Sequence, residues 1–183
     1  GYSFFPKEFS LHAYKFIWDN ASNVFRAYGI TIFVTVVGTA INLAMSALLA
    51  YPLSLKDLPG KRIISFYIFF TMLFNGGLVP TYLMYTGIFH INNTLLAYII
   101  PGFLMSAMNV MLIRTFFSTS IPEALFESAQ IDGASQFQIF IKIVLPLGKP
   151  ILVAMGLLSG LGYWNDWTNG LYYVRDTKMY GIQ

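Results

Sequence analysis

The sequence predicts an all-α membrane protein, a polytopic helical bundle in which residues 1–183 form one domain. Three observations predict it. Charged residues make up 10% of the chain and hydrophobic ones 56%, with a mean hydropathy of +0.62; soluble domains carry about 25% charged residues. Residues 27–55 and 63–113 bear no formal charge, and about 20 such residues suffice for a helix to cross a bilayer. Residues 120–150, SIPEALFESAQIDGASQFQIFIKIVLPLGKP, carry the capping and turn signals of two short helices set between apolar runs.

The composition also excludes function classes. No cysteine is present, which removes disulfides, thiolate catalysis and Cys-ligated zinc. The net charge is +3, and no basic patch is interleaved with aromatics, so nucleic acid is not an expected partner. His12 and His90 are the only histidines; both fall in predicted loops far apart in sequence, so no metal site is expected.

Taken in order, residues 1–20 hold Lys7, Glu8, Lys15 and Asp19 among aromatics. They read either as a partly amphipathic interfacial segment or as a solvated loop. The opening GYSFFPKEFS reads as an extramembrane segment entered midway, and the chain stops at Gln183 in a polar stretch; a longer protein is expected at both ends. A first span is predicted at about 27–53, where Gly38, Ala40, Ala44, Ser46, Ala47 and Ala50 favour close helix contact. The loop SLKDLPGKR follows, with Lys56, Lys61 and Arg62. A second span at 63–85 is interrupted by Asn75-Gly76-Gly77 and Pro80. Broken helices at membrane depth are tolerated where the backbone is buried in protein or lines a cavity, so Asn75 and Pro80 are candidates for a substrate pathway; a simple proline kink is the alternative. After the polar turn HINN at 90–93, a third span is predicted at 94–117, bent near Pro101-Gly102. The fourth, at 150–171, holds Gly156 and Gly160 at GxxxG spacing and ends in aromatics suited to a membrane interface. Alternation puts the loops around Lys56 and Glu127 on one side. Lys56, Lys61, Arg62 and Arg114 favour that side as cytoplasmic.

The helical loop spans 120–146. Ser120 is the expected N-cap, with Pro122 near the first helical position and Glu123 three residues after the cap. Asp132-Gly133 is the expected stop, because glycine tolerates the left-handed conformation that ends helices. A second helix is expected from Ser135, with Phe137, Phe140, Ile141 and Val144 on one apolar face, broken by Pro146. Glu123 and Glu127 lie one turn apart. With no histidine near them they read as a solvated or partner-facing acidic face rather than a catalytic pair.

These residues resemble a known motif. Glu127-Ser128-Ala129, Asp132-Gly133-Ala134, Ile143, Leu145-Pro146 and Pro150 look like the EAA loop of the permease subunits of bacterial ABC importers, with Ser128 where that family more usually has alanine. NGGLVPTYL at 75–83, IPGF at 100–103, IRTFF at 113–117 and YWNDWTNGLYY at 163–173 extend the resemblance over nearly the whole chain. They are similar to carbohydrate importers, in particular the group that pairs with a sugar-binding lipoprotein and imports oligosaccharides. That resemblance implies the type I ABC importer permease fold with cytoplasmic coupling helices, here without the family's usual first and last spans. It implies no chemical step in this chain, which is not an enzyme, and a multi-pass location in the bacterial plasma (inner) membrane.

The resemblance assigns coupling to an ATPase to Glu123, Glu127, Ser128, Ala129, Asp132, Gly133, Ala134, Leu145 and Pro146. The implied partners are a homologous second permease subunit, two ATPase subunits, an extracytoplasmic sugar-binding (lipo)protein and membrane lipid. No cofactor is expected on this chain. The sequence has no P-loop, so ATP and Mg belong to the partner ATPase. Trp164, Asn165, Asp166 and Trp167 complete the candidate pathway: aromatic faces with amide and carboxylate groups suit sugar hydroxyls and CH faces, while interface anchoring is the plainer alternative. Rival readings are a permease for another solute class, a membrane enzyme and a structural membrane subunit.

Overall fold

The computed structural model describes residues 14, 15, 18, 20–74, 76–101 and 104–182. Asn75, His12, Gly102, Phe103 and most of the first 20 residues lie outside them, and with them the expectations of an interfacial segment and of a bend at Gly102. Among the described residues every regular element is helical.

The uncharged first run folds as one helix, α1 (Ala21–Ser54), with Pro52 in its last turn and Leu55 extended beyond it. Its 34 residues reach about 50 Å, more than the roughly 30 Å hydrocarbon core. Thr31, Val34, Gly38, Asn42 and Ser46 recur on one buried face. Of the small residues picked out above, Gly38, Ser46, Ala47 and Ala50 are buried there, whereas Ala40 and Ala44 face outward.

The second apolar run does not form one helix. It folds as α2 (Lys61–Leu73) and α3 (Leu78–Ile88), bent by 110°. Just before α3, Gly77 has φ +87°. Pro80 sits in the first turn of α3, where its missing N–H costs nothing; it opens a helix rather than kinking one. The region predicted as a third span divides into the single turn α4 (Leu96–Ile99) and α5 (Ala107–Ser120). α6 (Glu123–Ile131) and α7 (Gln136–Leu147) form the hairpin, and α7 meets α8 (Lys149–Trp164) at a 77° bend. α9 (Thr168–Tyr173) closes the bundle. The fourth apolar run therefore stops being one helix at Trp164, and Asn165 takes its C-cap position. Among the described residues, α1 alone is long and apolar enough to cross a membrane; the pairs α2–α3 and α7–α8 are so only when each is taken as one bent span.

α5 and α8 both pack on α1. Gly156 faces Leu43 and Gly160 faces Thr39 of α1, so the GxxxG spacing serves the α1–α8 contact. Two hydrophobic clusters result. One holds Leu53, Ile113, Phe117, Ile139 and Val144, and the other Val34, Tyr98, Tyr163 and Tyr173. Between them lies a polar node. Asn109 Nδ2 donates to Asn42 Oδ1 (3.2 Å) and Ser159 Oγ (3.0 Å), and the Ser159 hydroxyl donates to Asn42 Oδ1 (3.1 Å). Bonds of this kind in apolar surroundings contribute about 0.6–2 kcal/mol each, and these join α1, α5 and α8 at one level.

Candidate functional site

The hairpin is built by local chain chemistry. α5 runs through Ser120, so Ser120 is the end of one helix and not the cap of the next. Ile121 is extended and buried, and Pro122 takes the N-cap position of α6 with φ −61° and ψ 135°. A serine three residues before the first helical residue is not placed to cap it; proline stiffens the entry instead, and Glu123 opens the first turn at the positive end of the helix.

At the other end of α6, Gly133 N–H donates to Gln130 O (3.0 Å) and Ala134 N–H to Ala129 O (2.9 Å). With Gly133 at φ +78° this is a Schellman stop. Ser135 then caps α7 with a full capping box. Its hydroxyl accepts from Gln138 N–H (3.3 Å), and Gln138 Oε1 accepts from Ser135 N–H (2.9 Å).

The expected apolar face of α7 is corrected in part. Phe140 and Val144 are buried with Ile139, but Phe137 and Ile141 are 62% and 45% exposed. Residues 140–144 form a π-helical turn, which rotates the later residues away from an α-helical register. This wide turn lies just ahead of Pro146, whose ring would clash with the carbonyl four residues back in a tight helix. The helix therefore continues through Pro146 and bends at Gly148.

Glu123, Glu127, Ser128, Asp132 and Gly133 are all exposed, but Glu123 and Glu127 border the loop after α1 whereas Ser128, Asp132 and Gly133 do not. Ala129 and Ala134 pack against the core and anchor the hairpin. Leu145 and Pro146 lie apart, at the far end of α7; Leu145 also touches the core. Lys56, from the loop after α1, pairs with Glu123, which puts the two loops at one end of the bundle. The hydrogen bond to Glu123 and the field of that carboxylate hold the Lys56 ammonium above the ordinary lysine range. A cleft of about 450 Å³ opens beside the pair, with Glu127, Gln130 and Gln136 on its walls.

Several residues of this end had no part in the sequence reading. Ile131, 86% exposed, adds apolar surface to the hairpin. Gly148 is buried, and a Cβ there would meet Phe117 Cε1 at 2.5 Å and Val144 O at 2.8 Å; its place between Pro146 and Pro150 was the only hint.

At the opposite end, long-range contacts dominate. Asp166 is buried, and its carboxylate accepts from Asn169 N–H (3.1 Å) and Asn169 Nδ2 (2.7 Å). Asn169 Nδ2 also donates to Pro101 O (3.1 Å). Tyr173 stacks on Tyr82 and meets Tyr85 edge-on. Asn93, at φ +54°, donates its N–H to Tyr173 O and accepts at Oδ1 from Arg175 N–H (2.6 Å) and Asp176 N–H (3.2 Å).

Of the candidate pathway residues, Trp164, Asn165, Trp167 and Pro80 present exposed surface. Asn165 Nδ2 is bonded to Leu161 O (2.9 Å). Trp167, 60% exposed, borders with Asp166, Tyr98 and Tyr180 a hollow of about 400 Å³. Asn75 lies outside the described residues.

This geometry suits mechanical work: a stiff, solvent-facing hairpin at one end, joined through packed helices to a braced aromatic end. Known proteins agree in fold. The chain is 37% identical over 98% of its length to Protein LplC of Bacillus subtilis. It is 38% identical over 97% of its length to the polygalacturonan/rhamnogalacturonan transport system permease protein YtcP of the same organism. It spans only 59% and 61% of those two proteins. Among solved structures, a bacterial ABC transporter involved in the import of the acidic polysaccharide alginate has a chain that superposes with a TM-score of 0.81 at 33% identity, over 86% of this chain and 55% of that one. Through residues 43–174, which match the family model, the chain belongs to the binding-protein-dependent transport system inner membrane components.

Proposed function

We propose that this chain is the membrane-spanning part of a permease subunit in an ATP-driven bacterial importer of sugars, oligosaccharides in particular. The observation that carries the reading is the α6–α7 hairpin. It is closed at its turn by a Schellman stop and a capping box, largely exposed, and joined by the chain to α5 and α8. The polysaccharide cargo named for two of the similar proteins supports the sugar class.

In this reading Glu123, Glu127, Ser128, Asp132 and Gly133 face a separate ATPase, and Ala129, Ala134, Leu145 and Pro146 hold the hairpin in shape behind them. Closure of two ATPase subunits on ATP and Mg carries the hairpin, which tilts α5 and α8 and switches the pathway between outward and inward access. A homologous second permease completes the bundle, and an extracytoplasmic sugar-binding lipoprotein delivers cargo at the aromatic end. The protein is multi-pass in the bacterial plasma membrane. Lys56, Lys61, Arg62 and Arg114 gather at the hairpin end, which supports a cytoplasmic hairpin.

The test is an uptake assay on the assembled transporter with two substitutions of one residue. Gly133→Val places a β-branched side chain at φ +78°, where strain of about 1–3 kcal/mol is expected. It should lower sugar uptake per ATP hydrolysed about tenfold or more, since about 1.4 kcal/mol is one decade. Gly133→Asn, which tolerates that conformation, should stay near the parent. Equal coupling in parent and Gly133→Val would remove the hairpin from the mechanism.

A further inference from the structure

The hairpin is joined by the chain to α5 and α8 only. α1, among the described residues the one helix long enough to cross a membrane by itself, is not continuous with it. Yet the end of α1 is fastened to both of its arms by Tyr51. This side chain is 7% exposed. Its ring stacks on Phe126 of α6 (centroids 6.5 Å apart) and lies tilted against Phe140 of α7 (5.2 Å). Its hydroxyl donates to Gln136 Oε1 in the first turn of α7 at 2.7 Å. Three contacts from one residue thus reach α6, the start of α7 and its π-helical turn.

The surroundings stiffen the attachment. Arg114 Nε of α5 donates to Leu53 O (3.0 Å), and Lys61 Nζ donates to Leu55 O (2.7 Å), so the end of α1 and the residue after it are held from two directions. Lys56 adds an exposed pair to Glu123.

We infer that Tyr51 is a positioning residue that delivers hairpin motion to α1, so that three helices rather than two move when the hairpin is driven. The ring contacts set the distance between α1 and both arms. The directional hydroxyl bond sets their register, because a ring can slide over a ring whereas a 2.7 Å bond has one geometry. The inference rests on the proposed role of the hairpin and adds the route by which it reaches a helix it does not join.

The experiment measures sugar uptake per ATP hydrolysed in the full-length permease, reconstituted with its partner subunits, for Tyr51→Phe, Gln136→Leu and the double variant. Tyr51→Phe keeps the ring and removes only the hydroxyl. One neutral hydrogen bond shifts an equilibrium about fivefold, so each single variant should lower the ratio about fivefold. The double variant should be no worse than either, since both remove the same bond. Gln136→Glu keeps an acceptor oxygen and should retain coupling, which a merely structural loss would not distinguish. An unchanged ratio in Tyr51→Phe, or losses that multiply in the double variant, would overturn the inference. If the unaltered complex hydrolyses ATP without importing sugar, the proposed function fails as well; if it imports normally and only the Tyr51 result is negative, that function stands.

Discussion

The two ends of this protein are stabilised by different means. The turn of the hairpin is made of short-range chemistry, although its ties to α1 and the loop after it, Tyr51–Gln136 and Lys56–Glu123, span 85 and 67 residues. The Schellman stop at Gly133 and the capping box at Ser135 each close within five residues. The aromatic end is made of long-range chemistry. Asn169 bonds Pro101, and Asn93 bonds Arg175 and Asp176, across 68, 82 and 83 residues of chain. A locally closed element keeps its shape when it is moved as a unit. An end assembled from distant segments keeps its shape only while the bundle around it is intact. The first suits a part that is driven, the second a part that must hold a surface in place.

Three substitutions probe this contrast. The largest effect is expected where the hairpin meets the bundle. Gly148→Ala forces a methyl group to within 2.5 Å of Phe117 and 2.8 Å of the Val144 carbonyl, and overpacking of this kind costs about 1–3 kcal/mol. The purified protein should melt several degrees lower, and a melting temperature within about a degree of the parent would show that the bend can open at little cost. Next comes Asn169→Leu, which leaves the buried Asp166 carboxylate short of a donor and Pro101 O without its bond. The expected loss is about 2 kcal/mol, read by thermal unfolding, with the ratio of uptake to ATP hydrolysis unchanged among the molecules that remain folded. A changed ratio would mean that the aromatic end takes part in coupling, and the contrast between the ends would fail. The smallest effect on stability is expected from Trp167→Ala, because this side chain is mostly exposed. Melting should not move, while sugar uptake should fall by up to about fivefold if the indole face contributes an aromatic contact to cargo. Unchanged uptake would leave Trp167 an interface anchor.

The same contrast explains what could be read from the sequence. Caps, stops and bends are written in consecutive residues, so the α6–α7 hairpin and the turn at Gly133 were legible, as was the helical membrane class from the long uncharged runs. Errors arose where neighbours outside the local window intervened. Ser120 has the right chemistry for a cap, yet α5 extends through it and Pro122 takes the position. Phe137 and Ile141 have the right spacing for a buried face, yet both are exposed, and the π-helical turn at 140–144 breaks the register which that spacing assumes. Trp164 was expected inside a longer span, but α8 ends there, and Asp166 turns to bond Asn169 at the start of α9.

Hydrophobic runs, a charge deficit and a capped glycine turn were enough to predict the helical membrane class of this protein and its hairpin, because bilayer thickness and local hydrogen bonding impose those features on any chain that carries them. Which residues meet across the bundle is a matter of packing between helices remote in sequence. Tyr51 against Gln136, Asn42 against Ser159 and Gly148 against Phe117 are pairs that no periodicity announces. Their partners are chosen by how close two helix backbones come, and that distance is set only once the whole bundle has closed.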